Sequence, residues 1–144
     1  MSSAIDRLKD LANKITSYEK VRKENISALR VLFEDIGVSK KVEYFEDIFE
    51  FKAINLSGAS LHEENLGEVK KGKYLQILAI AYDKEASIKS KNLSLGYYGK
   101  SESVDNELKD KIVEFIIRYR FEKSFITLEH YNGMLNTFNK KDNE

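Results

Sequence analysis

The segment Ser94–Ser101 is the closest approach in this sequence to a phosphate-binding motif. Gly99, Lys100 and Ser101 match the end of the Gly-x4-Gly-Lys-Ser loop, whose backbone N–H groups surround phosphates while the lysine and serine reach phosphate oxygens and Mg²⁺. Ser94 replaces the first glycine, however, and no later strand is expected that could supply an acidic partner for Mg²⁺. The pattern therefore favours a strand-to-helix turn that uses the conformational freedom of glycine.

The same turn is a candidate site for a small anionic ligand. Tyr97, Tyr98, Lys100 and Ser101 lie within Gly96–Ser101, and the two glycines of this turn would let a ligand approach the backbone. Tyrosines at the ends of strands serve equally well as protein-contact surface. A small-ligand binder or an enzyme that uses the Gly96–Ser101 turn is therefore one functional hypothesis.

Histidines and carboxylates are the remaining candidates for catalysis or metal binding. His62 and His130 are far apart in the sequence, and the chain has no cysteine, so we expect neither a metal site nor a cofactor. The candidate carboxylates are Glu63, Glu64, Glu114 and Glu129. None of them accompanies a recognisable nucleophile motif, which favours a protein that is not an enzyme.

Basic and aromatic residues support a second hypothesis, the binding of nucleic acid. The basic residues gather at positions 22–23, 40–41, 70–73, 89–91 and 118–120, and the tyrosines at 44, 74, 82, 97 and 98. Such side chains can bind phosphates and stack on bases. The formal net charge of 0 argues against a dedicated nucleic-acid binder, and solvated lysines beside half-buried tyrosines are the simpler interpretation.

The element that begins the chain is a long helix. Apolar residues recur at steps of three and four, which predicts one helix over residues 3–36. This apolar seam consists of Ile5, Leu8, Ala12, Ile15, Ile26, Leu29, Phe33 and Ile36. Glu19 and Arg22 interrupt the seam. A helix of this length spans about 50 Å, which exceeds the diameter of so small a domain, so part of the seam is expected to pack beyond its own domain.

An antiparallel sheet is predicted between residues 42 and 99. Alternating apolar residues indicate a strand over residues 48–56, and Tyr74–Asp83 is apolar enough on both faces to be a central strand. Leu93, Leu95 and Tyr97 mark a further strand. Together these segments predict a β-meander of three to four strands.

A second long helix is predicted over residues 103–138, with Ser103 as its N-cap. It carries two apolar stripes, which indicates that it is covered on two sides, by the sheet and by a long helix of its own or a partner chain. The first stripe is Val113, Ile117, Phe121, Phe125, Leu128, Tyr131, Leu135 and Phe138. The second stripe is Leu108, Ile112, Ile116, Tyr119 and Ile126.

These elements predict an α+β fold in which the C-terminal helix packs on the meander, with residues 1–144 forming a single domain. The two helices carry more apolar surface than one small sheet covers. The leading functional hypothesis is therefore a non-enzymatic, oligomeric interaction protein, most simply a homodimer, that contacts another macromolecule, above all a protein. The interface is expected to contain Ile5, Leu8, Ile15, Ile26 and Leu29.

The expected location is the cytoplasm, without membrane contact. The N-terminal residues are charged and amphipathic, unlike a secretory signal. The longest apolar run, Ile77–Tyr82, is far too short to span a bilayer.

Overall fold

The computed structural model describes residues 3–82 and 90–142, with side chains except at residues 15–17, 90 and 142. The first element is helix α1, Ala4–Asp35. It begins at a capping box in which the Asp6 N–H donates to the Ser3 hydroxyl and the Ser3 N–H donates to the Asp6 carboxylate. It ends at Asp35, and Gly37, which follows the C-cap Ile36, has a φ of 81°, in the left-handed region that glycine adopts without strain. The predicted long N-terminal helix is therefore confirmed.

Three antiparallel strands form a meander in the described part of the chain. They are β1, Ala53–Ser57, β2, Tyr74–Tyr82, and β3, Ser90–Lys100, in the order β1-β2-β3. The prediction of a strand over residues 48–56 was wrong at its start, because Phe45–Glu50 is a short 3-10 helix. Phe45 and Ile48 point into the core from this helix, because residues three apart share one face of a 3-10 helix, whereas a strand would place them on opposite faces.

The chain closes with helix α2, Asn106–Asp142. Its N-cap is Asp105, whose carboxylate accepts a hydrogen bond from the Glu107 N–H at 3.1 Å. The prediction of Ser103 as the cap was wrong, since Ser101–Ser103 forms a separate 3-10 turn. The helix runs through Gly133 and extends beyond the predicted end at residue 138.

The core lies between the inner face of the sheet and the two helices, which run antiparallel to each other. The buried sheet residues are Ile54, Leu75, Ile77, Ala79 and Leu95. They are covered by Ile112, Phe115, Ile116 and Tyr119 of α2 and by Leu29, Leu32, Phe33 and Ile36 of α1. The α+β class, with the C-terminal helix packed on the sheet, is thus confirmed. Within residues 3–82 and 90–142, no helix is long and apolar enough to cross a bilayer.

Candidate interaction surfaces

The four residues predicted to bind a ligand do not share one surface, because two of them face the core. The Tyr98 hydroxyl donates a hydrogen bond to the Ile36 carbonyl at 2.7 Å, and burial raises the pKa of Tyr98 to about 12. Gly96 permits this arrangement, since a Cβ there would collide with the Tyr98 ring. Ser101 is completely buried and its N–H donates to the Lys73 carbonyl at 2.9 Å.

The other two predicted ligand residues lie on the outer face of the sheet. Tyr97 is 60% exposed and stacks on Tyr74, with 5.9 Å between the ring centroids. Lys100 is exposed and lies directly opposite Tyr74 in the ladder between β2 and β3. Tyr97 and Lys100 therefore remain available to a ligand, together with Tyr74.

The backbone of this segment differs from a phosphate-binding loop. Residues 94–100 belong to strand β3 and are paired with β2, so their N–H groups do not surround a common centre. Helix α2 begins only at Asn106, whereas the phosphate loop leads directly into a helix.

Neither histidine belongs to a cluster of possible metal ligands. Both are exposed, His62 in the loop before the 3-10 turn Glu63–Asn65 and His130 on α2. Among the described residues, no group of three or more histidine, aspartate or glutamate side chains is arranged to hold a metal ion.

The apolar seam of α1 is buried in one half of the helix and exposed in the other. Leu29 and Phe33 are 0% and 2% exposed, whereas Leu8 is 66% exposed. No described side chain in residues 4–21 is buried. We call residues 4–21 of α1 and residues 123–142 of α2 the helical arms, and the rest of the described chain the body.

The residues predicted to form an oligomer interface divide between these two parts. Ile5 and Leu8 are exposed on the arm of α1, as a contact with another chain would require. Leu29 lies in the core of its own chain and Ile26 packs against that core, so the prediction that these two face a partner was wrong. The side chain of Ile15 lies outside the described residues.

The arm of α1 also exposes a row of apolar residues that the sequence analysis overlooked. Leu11 and Tyr18 are 55% and 64% exposed. The same steps of seven residues lead on to Asn25 and Leu32, which are buried in the body. This seven-residue spacing is the signal that could have identified the row.

The two stripes of α2 have different surroundings. The second stripe is buried at Ile112, Ile116 and Tyr119. The first stripe is buried at Val113, but most of its later members are exposed. The expectation that α2 is covered on two sides is therefore not met within one chain. Its exposed members, with the neighbouring Met134, are Ile117, Phe121, Leu128, Tyr131, Leu135 and Phe138.

An ionic cluster joins the two helices where the arms leave the body. Arg22 of α1 donates through Nε to Glu122 at 2.6 Å and through Nη1 to Glu129, and hydrogen bonds with Glu129 and Glu122 raise the pKa of Arg22. The guanidinium also lies 5.3 Å from the centre of the Phe125 ring. Glu122 is only 3% exposed, and its Oε2 has no hydrogen-bond partner among the described residues. The cluster thus anchors both arms to each other at their base.

A groove of about 450 Å³ continues the exposed stripe onto the body. Leu66, Ile117 and Phe121 supply its apolar wall. Arg118 lies in the groove but is held by Glu114 at 2.7 Å and by the side-chain oxygen of Asn25 at 3.0 Å. The polar groups Glu114, Arg118 and Asn25 thus pair with one another beside this apolar wall.

No family model matches this chain, and no curated protein or solved structure matches it either. Function is therefore inferred from the chemistry of the exposed surfaces alone.

Proposed function

We propose that this protein is a non-enzymatic, self-associating interaction protein whose helical arms pack against those of a second copy. The observation that carries the proposal is the exposed apolar seam on both arms. Ile5, Leu8 and Leu11 on α1 are more than half exposed, as are Leu128 and Leu135 on α2. Two pairs of antiparallel helices packed along these seams would form a four-helix bundle.

The exposed area of the chain supports association. The solvent-accessible surface is 10681 Å², whereas a compact monomer of 16.7 kDa exposes about 7,600 Å². The excess of about 3,000 Å² is larger than the roughly 800 Å² that each partner contributes to a stable interface. The chain therefore exposes more surface than a compact monomer needs, and the excess is enough for one side of a dimer interface.

The composition of the α2 arm favours a covered surface over a solvated one. Residues 124–139 contain one formally charged side chain, Glu129, and that carboxylate pairs with Arg22. Charged residues are depleted at the centres of protein interfaces, and aromatic residues and methionine are enriched. Tyr131, Met134 and Phe138 lie within this uncharged stretch.

A second copy is the partner that we favour, because both arms carry apolar seams and neither carries a strong charge. Residues 4–21 contain four basic and three acidic side chains, and residues 123–142 contain three and two. Two copies related by a two-fold axis could place each α1 arm against the partner's α2 arm with little electrostatic repulsion, since each arm carries a net charge of only +1.

The test is the mass of the protein in solution, measured by light scattering after size exclusion. We expect twice the 16.7 kDa mass of the chain at micromolar concentration. The double variant Leu8→Lys, Leu135→Lys is expected to be monomeric, with its dimer affinity reduced at least about 100-fold, because it places charges in the buried seam.

The matched control is the double variant Asn13→Lys, Thr137→Lys, which adds the same charges at exposed polar positions. It is expected to remain dimeric. A wild-type protein that is monomeric at about 100 µM, or a dimer that survives the Leu8→Lys, Leu135→Lys change, would contradict the proposal. Circular dichroism of each variant verifies that the helices are retained.

A further inference from the structure

The outer face of the sheet carries an aromatic pair that is open to solvent. Tyr74 and Tyr97 are 48% and 60% exposed, and their rings are stacked at an interplanar angle of 30°. Neither ring is used in the core, which lies on the opposite face of the sheet. Exposed aromatic rings on a sheet are a platform on which planar groups can stack.

Positive charge is concentrated around this pair, although the whole chain is neutral. Residues 69–82 and 90–101, which comprise β2, β3 and the turn before β2, contain five lysines and no acidic residue. Lys100 lies opposite Tyr74 in the sheet, and Lys70, Lys71 and Lys73 are exposed in the adjoining turn. Two acidic residues flank this segment, the exposed Glu68 and Glu102, and the Glu102 carboxylate accepts the Gly72 N–H at 3.4 Å.

Neutral hydrogen-bonding groups extend the platform along the sheet. The Gln76 amide donates to the Ser94 hydroxyl at 2.9 Å, and Asn55 and Asn92 are exposed on the flanking strands. Tyr82, at the far end of β2, is 63% exposed. The face therefore spans about 26 Å along β2, enough for several nucleotides of an extended strand.

We propose that this outer face binds single-stranded nucleic acid. Tyr74 and Tyr97 stack on bases, while Lys100 and the lysines of the turn at residues 70–73 bind phosphates. A single strand suits this surface better than a duplex, because stacking on tyrosine requires bases that are not already stacked in a helix. An acidic peptide would use the lysines but would leave the aromatic platform without a role.

The experiment is a titration of fluorescently labelled DNA and RNA single strands of about 15 nucleotides, followed by anisotropy at several salt concentrations. Tyr74→Ala and Tyr97→Ala are each expected to weaken binding about tenfold, and Tyr97→Phe to stay within about twofold because it keeps the ring. Lys100→Gln is expected to weaken binding and to lower the slope of log affinity against log salt by about 0.7.

Controls come from exposed residues elsewhere in the body. Tyr44 is 61% exposed and precedes the 3-10 helix Phe45–Glu50, and Lys23 is exposed on α1, on the other side of the sheet. Tyr44→Ala and Lys23→Gln are expected to bind like the wild type. The proposal fails if about 100 µM protein at low salt causes no change in anisotropy. It also fails if polyglutamate competes equally well and neither Tyr74→Ala nor Tyr97→Ala weakens binding.

This proposal is independent of the arms. The variants at Tyr74, Tyr97 and Lys100 alter only the sheet, so they are expected to leave the mass in solution unchanged. A monomeric protein that binds single strands would refute self-association alone, and a dimer that binds none would refute nucleic-acid binding alone.

Discussion

Helix α1 places apolar side chains on one seven-residue frame in two different surroundings. Residues 25–35 lie in the body, and residues 4–21 form the arm. In the body, Leu29 is fully buried against the sheet and α2, while Leu8 on the arm is 66% exposed. The same periodicity therefore has two meanings. It identifies the face of a helix that needs cover, but it does not identify which chain provides the cover.

The two regions of α2 sharpen the comparison. In the body, the helix buries Ile112, Phe115 and Ile116, and several charged side chains, such as Glu107, Lys111, Glu114 and Arg118, form ion pairs along it. On the arm, residues 124–139 contain only one charged side chain, although none of the described side chains there is buried. A solvated helix normally carries charge, so the arm has the composition of an interior without having one in a single chain.

The largest effect is expected for Leu29→Ala, set against Leu11→Ala on the arm. Leu29→Ala should lower the free energy of unfolding by about 2–5 kcal/mol, because it leaves a cavity in the core. Leu11→Ala should cost less than about 0.5 kcal/mol in dilute protein, and its effect should grow with concentration as dimerisation stabilises the wild type. Urea denaturation at two protein concentrations measures both. Equal losses at the lower concentration would mean that the arm is already buried in the monomer.

An intermediate effect is expected at the junction between body and arms. Arg22→Met keeps the aliphatic stem but leaves the nearly buried Glu122 without its cation, and should lower the free energy of unfolding by about 2–3 kcal/mol. The control is Glu129→Gln, because the Glu129 side chain is 61% exposed. Removing its charge should lower the free energy of unfolding by less than about 0.5 kcal/mol. Thermal denaturation distinguishes the two variants. Similar small losses would show that the cluster contributes little to holding the helices together.

The smallest effect, of opposite sign, is expected for Gly133→Ala on the α2 arm. A Cβ at Gly133 would meet no atom within 4 Å, and alanine favours the helix interior by about 1 kcal/mol over glycine. We therefore expect slightly higher helix content and melting temperature, measured by circular dichroism. A weaker dimer would instead show that a partner helix approaches closely at this glycine.

Periodicity was sufficient to predict both long helices and strands β2 and β3, because each has a long and regular apolar pattern. The segment at residues 48–50 was mistaken for the start of a strand, since a short run of apolar residues has no period that separates a strand from a helix. Its true role is visible only in three dimensions, where Phe49 stacks on Tyr119 of α2 at 5.7 Å between ring centroids.

Simple alternation of side chains along β3 could not predict which of the candidate ligand residues face solvent. β3 has an extra residue opposite β2 at Leu95 and again at Tyr98, and these two bulges break the two-residue alternation of faces. Leu95 consequently faces the core while Tyr97, two residues later, faces solvent, and Tyr98 again points to the core. Tyr97 and Lys100 were identified as candidates from their types alone, but their association with Tyr74 depends on strand register, which residue types do not reveal.

The ionic cluster at Arg22 has a mechanical consequence. Residues 4–22 contain no glycine or proline, so the α1 arm is an unbroken helix about 27 Å long that leaves the body where Arg22 contacts Glu122 and Glu129. Over this length, a change of about 10° in the direction of the arm at its base would displace its tip by about 5 Å, close to one helical turn. Contacts at the base of the arm would therefore affect which turn of an opposing helix the tip can reach.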